Sequence, residues 1–370
     1  MHHTREPKAA VVLLDNREHT PDHEHAVHLK LADCLAQLLG IERQEPPPSS
    51  QPREAIYYVP TQTLIDPTRY QPRGIETEDD LFGGLVSQPF MATKAISHPL
   101  PAGAACPPGW TDAFAQHASD ALLRGYTVFA REDARRAVAL LLREGKVRIK
   151  PVRACAGRGQ QVISDLQALE PILAAMDEQA LGLWGLVLEE DLSAVETFSV
   201  GQARVAGLTL SYHGTQQLTR DHDGNDVYGG SDLVFVRGDY LQLLQLPLED
   251  PVRLAINQAM RYEQAAERYF PGFIASRRNY DVARGLDSRG HLRSGVLEQS
   301  WRIGGASSAE VLALLAFAAN PALQALRAST HEVFGACTLP ADATLFYQGD
   351  DCELGQLSKY ARIRDHDRRE

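Results

Sequence analysis

The chain has 370 residues, 44% of them hydrophobic and 23% charged, with a formal net charge of −11. A length of this order divides into two or three lobes rather than forming one small module, and the acidic balance disfavours a nucleic-acid backbone binder while allowing a local basic site. The apolar runs, such as Ala10 to Leu14 and Val311 to Ala319, are too short to cross a bilayer and the amino terminus lacks an apolar signal core, so the expectation is a cytoplasmic protein with neither a membrane nor a nucleic-acid partner. Five cysteines, Cys34, Cys106, Cys155, Cys337 and Cys352, lack metal-ligand spacing and read as free thiols.

In chain order, Lys8 to Asp15 predicts a short apolar strand, and His25 to Leu39 a helix with Leu29, Leu31, Leu35 and Leu38 in its repeat and Gly40 to close it. Gln44 to Arg53, dense in proline and serine, predicts a loop, and Ala55 to Val59 a second strand, so residues 1–90 read as an α/β amino-terminal lobe. Prolines 99, 101, 107 and 108 interrupt regular structure before two helical patterns, Asp112 to Leu123 and Glu132 to Leu142, around a short strand from Thr127 to Ala130. Lys146 to Pro151 alternates Val147 and Ile149 with Arg148 and Lys150, the period of a half-buried strand. A helix over Asp165 to Leu181 and a strand over Leu186 to Leu188 complete a central lobe at 91–190. Thr197 to Leu218 predicts two strands, and Asp221 to Asp232, rich in Asp, Gly and Asn, a long loop that either closes over a substrate or faces solvent. Asp250-Pro251 opens a helix running to about Tyr269. Phe273 to Val282 and His291 to Ser300 predict two strands joined by the turn Asp287 to Gly290, and Ser308 to Ala319 and Pro321 to Ala328 predict helices. These make a carboxy-terminal lobe at 191–340, followed by a charged tail at 341–370, and the fold class is α+β.

Two segments carry chemistry. Lys150-Pro151 ends a strand and is followed by small residues including Gly157 and Gly159. Triphosphate oxygens need backbone N–H groups that approach without a side chain in the way, together with a positive charge, which Lys150 supplies. The loop lacks the Gly-Lys-Ser/Thr ending of a Walker loop, and alone it is also compatible with a tight hairpin bearing an exposed lysine. In Glu298-Gln299-Ser300-Trp301-Arg302, period two places Glu298, Ser300 and Arg302 on one face, together with Leu292, Ser294 and Val296 upstream. Magnesium bound to nucleotide phosphates uses one or two carboxylates, which makes Glu298 a candidate ligand, Asp281 on the partner strand a second carboxylate, and Ser300 a neutral oxygen. Arg302 can face a transferred phosphate or a reactive oxyanion. Arg278 and Arg293 on the same two strands, with His213, are candidates for gathering a carboxylated substrate. An ordinary solvated sheet edge accounts for the same acids.

Lys150-Pro151 with Gly157 and Gly159, then Leu186-Val187-Leu188-Glu189-Glu190, then Glu298-x-Ser300-x-Arg302 resembles the ATP-grasp superfamily, in the expected order and over roughly residues 90 to 310. The resemblance implies an ATP-grasp fold, an α/β amino-terminal lobe followed by two lobes that enclose nucleotide, with ATP and Mg2+ as cofactors. It implies that Lys150 contacts the α- and β-phosphates, that Lys94 is a second nucleotide-contacting lysine, that Glu189 or Glu190 accepts ribose hydroxyls, and that Leu188 lies against the base. Two departures stand out: Ser300 occupies the place usually held by asparagine, and Asp281 lies farther from Glu298 than the usual pair, which calls for a longer or bulged hairpin or another ligand. The implied activity is an ATP-dependent ligase acting on a small-molecule carboxylate and a nucleophile, with a homodimer as a guess from enzyme class. A nucleotide-binding regulatory or scaffold module without turnover, and a small-molecule or protein kinase with a related grasp around ATP, are the alternatives.

Overall fold

The computed structural model describes residues 7–46, 55–153, 159–222 and 224–365. The amino-terminal part is a parallel three-stranded sheet with Ala10–Leu14 between Glu42–Gln44 and Ile56–Pro60. Parallel neighbours require a crossover, and helix Asp22–Leu39 provides it, ending where Gly40 adopts φ +70°. Leu31 and Leu35 of that helix pack with Val11 and Leu13 of the sheet, and against Ala309 and Leu314 of helix Ser307–Ala319.

The central part is a four-stranded sheet in the order Gly125–Val128, Leu186–Glu190, Val147–Pro151, Gln161–Ile163. Its apolar face carries Val128, Val147, Ile149 and Leu188, covered by Val138 and Leu141 of helix Arg131–Leu141 and by Leu173 of helix Leu169–Ala174. The alternation read from Lys146 to Pro151 has this cause: the two aliphatic side chains join the helix-covered core, and Arg148 and Lys150 point the other way into a cavity. The expected helix over Asp165 to Leu181 is instead two short helices, Leu169–Ala174 and Glu178–Trp184, the second capped by the Asp177 carboxylate accepting from Ala180 N. The expected helix Asp112 to Leu123 contracts to Ala113–His117 and a single turn at Ser119–Ala121.

The third part is an eight-stranded sheet in the order Leu292–Ser300, Arg277–Leu286, Ser193–Val205, Leu208–Arg220, Asp226–Arg237, Ala325–Phe334, Gly355–Asp365, Ala343–Asp351. Helix Asp250–Tyr269 covers one face, where Ile256 and Tyr262 meet Val200, Tyr280, Val282 and Val296. Helix Ser307–Ala319 covers part of the opposite face through Tyr212 and Phe235. This sheet corrects three expectations. The Asp221 to Asp232 loop is a hairpin whose second strand starts at Asp226, the Pro321 to Ala328 helix gives way to strand Ala325–Phe334, and residues 341–370, expected as a charged tail, contribute the last two strands. Strand Gly355–Asp365 pairs with both neighbours, and Leu357, Ser358, Tyr360 and Ala361 are buried along it. Among the described residues no helix is long and apolar enough to cross a membrane.

Candidate functional site

The hairpin Arg277–Leu286 to Leu292–Ser300 turns at Asp287 to His291, where Asp287 N donates to His291 O at 3.0 Å and Gly290 takes φ +80°. Its register sets Asp281 opposite Glu298 and Asn279 opposite Ser300. Between Asp281 and Val282 the register shifts, Val282 facing Val296, so Leu297 is an extra residue bulged out of the ladder. The bulge brings the two carboxylates together across the long hairpin. It also overturns one expectation: Ser294 and Val296 lie on the helix-covered face, Ser294 Oγ donating to Gln258 Oε1 at 2.8 Å, and do not share the face of Glu298.

Burial and then the neighbouring Glu298 charge push the Asp281 carboxyl up to about 7, although Gln216 Nε2 donates to its Oδ1 at 2.9 Å. Burial acts on Glu298 in the same direction, but the Lys94 ammonium paired with its Oε2 outweighs it and holds that carboxyl below its usual range. Lys94 thus meets the acid pair from a buried turn, Lys94–Ser97, and is not among the residues lining the cavity.

Facing this pair from the four-stranded sheet, Lys150 donates to Glu189 Oε1 at 2.9 Å and to the carbonyl of the bulged Leu297 at 3.1 Å. Glu189 also takes His98 Nε2 on its Oε2, at 3.2 Å. Its burial favours the neutral form, yet Lys150 and His98 more than offset this and bring the carboxyl down to about 2. Glu189 therefore serves Lys150, and the acid with a spare acceptor is Glu190. Its Oε1 accepts from Arg124 N at 2.8 Å and from Arg293 Nε at 3.1 Å, whereas its buried Oε2 has no hydrogen bond and stands in an ion pair with Arg124 Nη2 at 3.7 Å. Arg293, expected as a substrate arginine, is held by its pair with Glu190 and is not among the residues lining the cavity.

Strand parity separates the remaining arginines. Arg277, Asn279 and Asp281 face the cavity; Arg278 faces the helix Asp250–Tyr269, paired with Glu263 at 3.2 Å and Glu267 at 3.3 Å, and does not line the cavity, which corrects its expected substrate role. Arg277 forms a buried fork with Glu310, Nη2 to Oε1 at 2.8 Å and Nε to Oε2 at 3.0 Å, and reaches Ser300 O at 3.1 Å and Ser300 Oγ at 3.2 Å. It is an anchor for the segment that presents Arg302, which lines the cavity and donates to Ile303 O at 2.9 Å. Gly305 follows beneath Tyr228, where a Cβ would lie 2.6 Å from the ring, so only glycine lets the Arg302 segment pass.

These groups line one cavity of about 540 Å³ between the two sheets, with an apolar patch made by Leu123, Leu192, Ala283 and Leu297. Leu188, expected beside a base, is fully buried in the helix-covered core of the four-stranded sheet and does not reach the cavity, because its parity is that of Leu186. His213, a residue away in parity from Gln216, is likewise not part of the lining. Gly159 has φ +70° next to Gln160 of the cavity wall, and Gly157 lies outside the described residues. Asn279, Gln216 and His98 were not foreseen. Asn279 was findable, being two residues from Asp281 and so on its face, whereas nothing local marks Gln216 or His98. Among the described residues no three His, Cys, Asp or Glu side chains converge as a metal site; the oxygen set here is two carboxylates beside an amide and a hydroxyl, a composition suited to a hard divalent ion that keeps positions for phosphate and water.

A family model described as "Protein of unknown function (DUF3182)" matches residues 11–361. No curated protein matches. A solved structure, that of phosphoribosylamine–glycine ligase from Thermotoga maritima, is similar at 14% identity with a TM-score of 0.47, covering 96% of this chain and 92% of that chain.

Proposed function

The chain belongs to the DUF3182 family, and we propose that it is an ATP- and magnesium-dependent ligase of the ATP-grasp kind, activating a carboxylate as an acyl-phosphate for attack by an amine or similar nucleophile. The observation that carries this reading is the paired register of Asp281 and Glu298 on a sheet face opposite Lys150, with a cavity of about 540 Å³ between them.

In this reading Asp281 and Glu298 hold magnesium with the help of Asn279 and Ser300, so that the amide expected after Glu298 is replaced by one directly across the ladder. Asn279 Nδ2 donates to Ser199 Oγ at 2.7 Å and to Tyr212 OH at 3.1 Å, which leaves its carbonyl oxygen for the cavity. Raised to about 7 by burial and by Glu298, Asp281 is a carboxylate short of positive charge, the condition a divalent ion relieves. When bound, magnesium offsets the negative charge of the nucleotide phosphates. Lys150 adds its charge at the phosphates, Leu123, Leu192 and Ala283 pack the base, and the spare Glu190 oxygen accepts a ribose hydroxyl. Arg302 orients the acceptor carboxylate, one oxygen of which attacks the γ-phosphorus as ADP leaves; the nucleophile then attacks the acyl carbon and inorganic phosphate leaves.

The test is ADP release with magnesium across a panel of carboxylates and amines, preceded by ATP titration. Absence of ATP binding with magnesium present overturns the proposal. ATP binding without turnover across the panel moves the chain to the second reading, a nucleotide-binding regulatory module, which is favoured by one observation: Ser300 Oγ is already engaged by Arg277.

A further inference from the structure

The segment Thr93 to His98 is strapped between the two sheets that bound the cavity. Gln299 Nε2 of the large sheet donates to Thr93 O at 2.5 Å, Thr127 Oγ1 of the small sheet donates to Ala95 O at 2.6 Å, and Ser97 Oγ meets Tyr262 OH at 3.0 Å. Four residues after Lys94, the strap delivers a histidine to the far oxygen of Glu189. His98 is 1% exposed, and its ring lies against Gly125, where a Cβ would come within 2.9 Å of Nδ1 and Cε1. Such packing admits the imidazole only because residue 125 has no side chain, and it leaves the ring one position.

An ionised carboxylate has no hydrogen to give, so Nε2 carries the hydrogen and donates it to Glu189. Both Glu189 oxygens are then committed, Oε2 to His98 and Oε1 to Lys150. A carboxylate held by one oxygen can rotate and carry its lysine with it; one held by both cannot. Lys150 is a flexible side chain with four rotatable bonds, and its ammonium is fixed between Glu189 Oε1 and Leu297 O. We propose that His98 is a positioning residue for nucleotide binding: through Glu189 it aims the Lys150 ammonium at the phosphate end of the cavity. The inference rests on the nucleotide reading of that cavity and deepens it, assigning a role to a residue that touches no nucleotide itself.

The test compares ATP with adenosine, which fills the base and ribose end and has no phosphate for Lys150 to meet. Each is titrated calorimetrically, without magnesium, into wild type, His98→Leu and His98→Gln, with circular dichroism to confirm folding. His98→Leu, which removes the donor, should weaken ATP binding by about tenfold, the scale of a misplaced charge-assisted contact, and leave adenosine affinity unchanged. His98→Gln, whose amide N–H can donate to Glu189, should recover most of the ATP affinity. A folded His98→Leu that binds ATP like wild type overturns the positioning role, and so does a parallel loss of ATP and adenosine, which is the mark of a purely structural side chain. Should His98→Leu not fold, Glu189→Gln decides the matter from the other side of the clamp, with the same selective loss of ATP expected and the same parallel loss or wild-type affinity overturning it. Wild type that binds neither ATP nor adenosine removes the nucleotide reading itself, a result separable from the others because it appears before any substitution is made.

Discussion

Replacing Glu298 by glutamine keeps the side chain's size and an oxygen for Lys94 while deleting one of two carboxylates on the candidate metal site. Directly paired residues of an antiparallel ladder have Cα atoms about 4.5–5.5 Å apart, so with charges roughly 5 Å apart and an effective dielectric near 20 the two carboxylates repel by about 3 kcal/mol. That repulsion, added to burial, raises the Asp281 carboxyl to about 7, and a divalent ion held by the pair would offset it. Losing one charged ligand costs about 1.5–3 kcal/mol, or roughly ten- to a hundredfold in the affinity that magnesium adds to ATP. Calorimetric titration of ATP with and without magnesium, in wild type and Glu298→Gln shown by circular dichroism to be folded, measures that increment. In wild type the increment should grow as pH rises through about 7, where Asp281 gives up its proton; in the variant, with the Glu298 charge gone, this rise should move to lower pH. An increment unchanged in both size and pH dependence would refute the assignment of Glu298 and Asp281 as a metal pair.

Lys150→Ala should weaken ATP binding by about 1–3 kcal/mol with the fold retained, and wild-type affinity in a folded variant tells against a phosphate contact. Arg277→Met leaves Glu310 buried and without its guanidinium, so urea unfolding should show a loss of about 3–5 kcal/mol; a loss within about 0.5 kcal/mol, as for a surface substitution, would show that the fork is not a structural anchor. Asp351 is held down to about 2, first by its hydrogen bond from His23 and then by the Glu353 and Leu354 backbone N–H groups. A depressed carboxylate stabilises the fold above its unfolded pKa of 3.8 and ceases to as pH falls through about 2. The urea midpoint of wild type should therefore drop across that window, and the drop should be shallower in Asp351→Asn; identical acid profiles would exclude the His23 contact as its source.

How much of the site could be read from the chain depends on the physical range of each signal. Period two along Val147 to Pro151 is local, and it separates Lys150 from the core face of Val147 and Ile149, the face that turns out to border the cavity being that of Lys150. The same rule applied to Arg277–Leu286 selects Arg277 with Asp281, not Arg278, so the misassigned arginine was legible and the parity was simply not carried through. Leu188 failed for the same reason, since it shares the aliphatic face of its strand with Leu186. The Asp281 to Glu298 pairing was expected, with a bulge as one way to reach it, but the place of that bulge at Leu297 leaves no mark in composition. Contacts such as His98 to Glu189 and Gln216 to Asp281 join residues far apart in the chain and have no local signature. The last two strands were missed because their charged residues outnumber the buried apolar Phe346, Leu357 and Ala361.

The extra residue at Leu297 also governs how this hairpin tolerates change. Upstream of it, inward and outward positions follow one parity; downstream they follow the other, and Glu298 belongs to the second phase. A deletion from Leu292 to Gly295 would put Val296 in the place of Gly295, where a Cβ lies 2.6 Å from the Leu123 backbone nitrogen, but deleting Leu297 itself would erase the bulge and leave a regular ladder with Val296 still opposite Val282. Stability would change little, yet Lys150 would lose the carbonyl it holds across the gap between the sheets. Loss of Leu297 is therefore a lesion centred on the cavity and its apolar patch, and related chains that keep the full count can be told from those that have shed a residue by counting back from the acid to the turn.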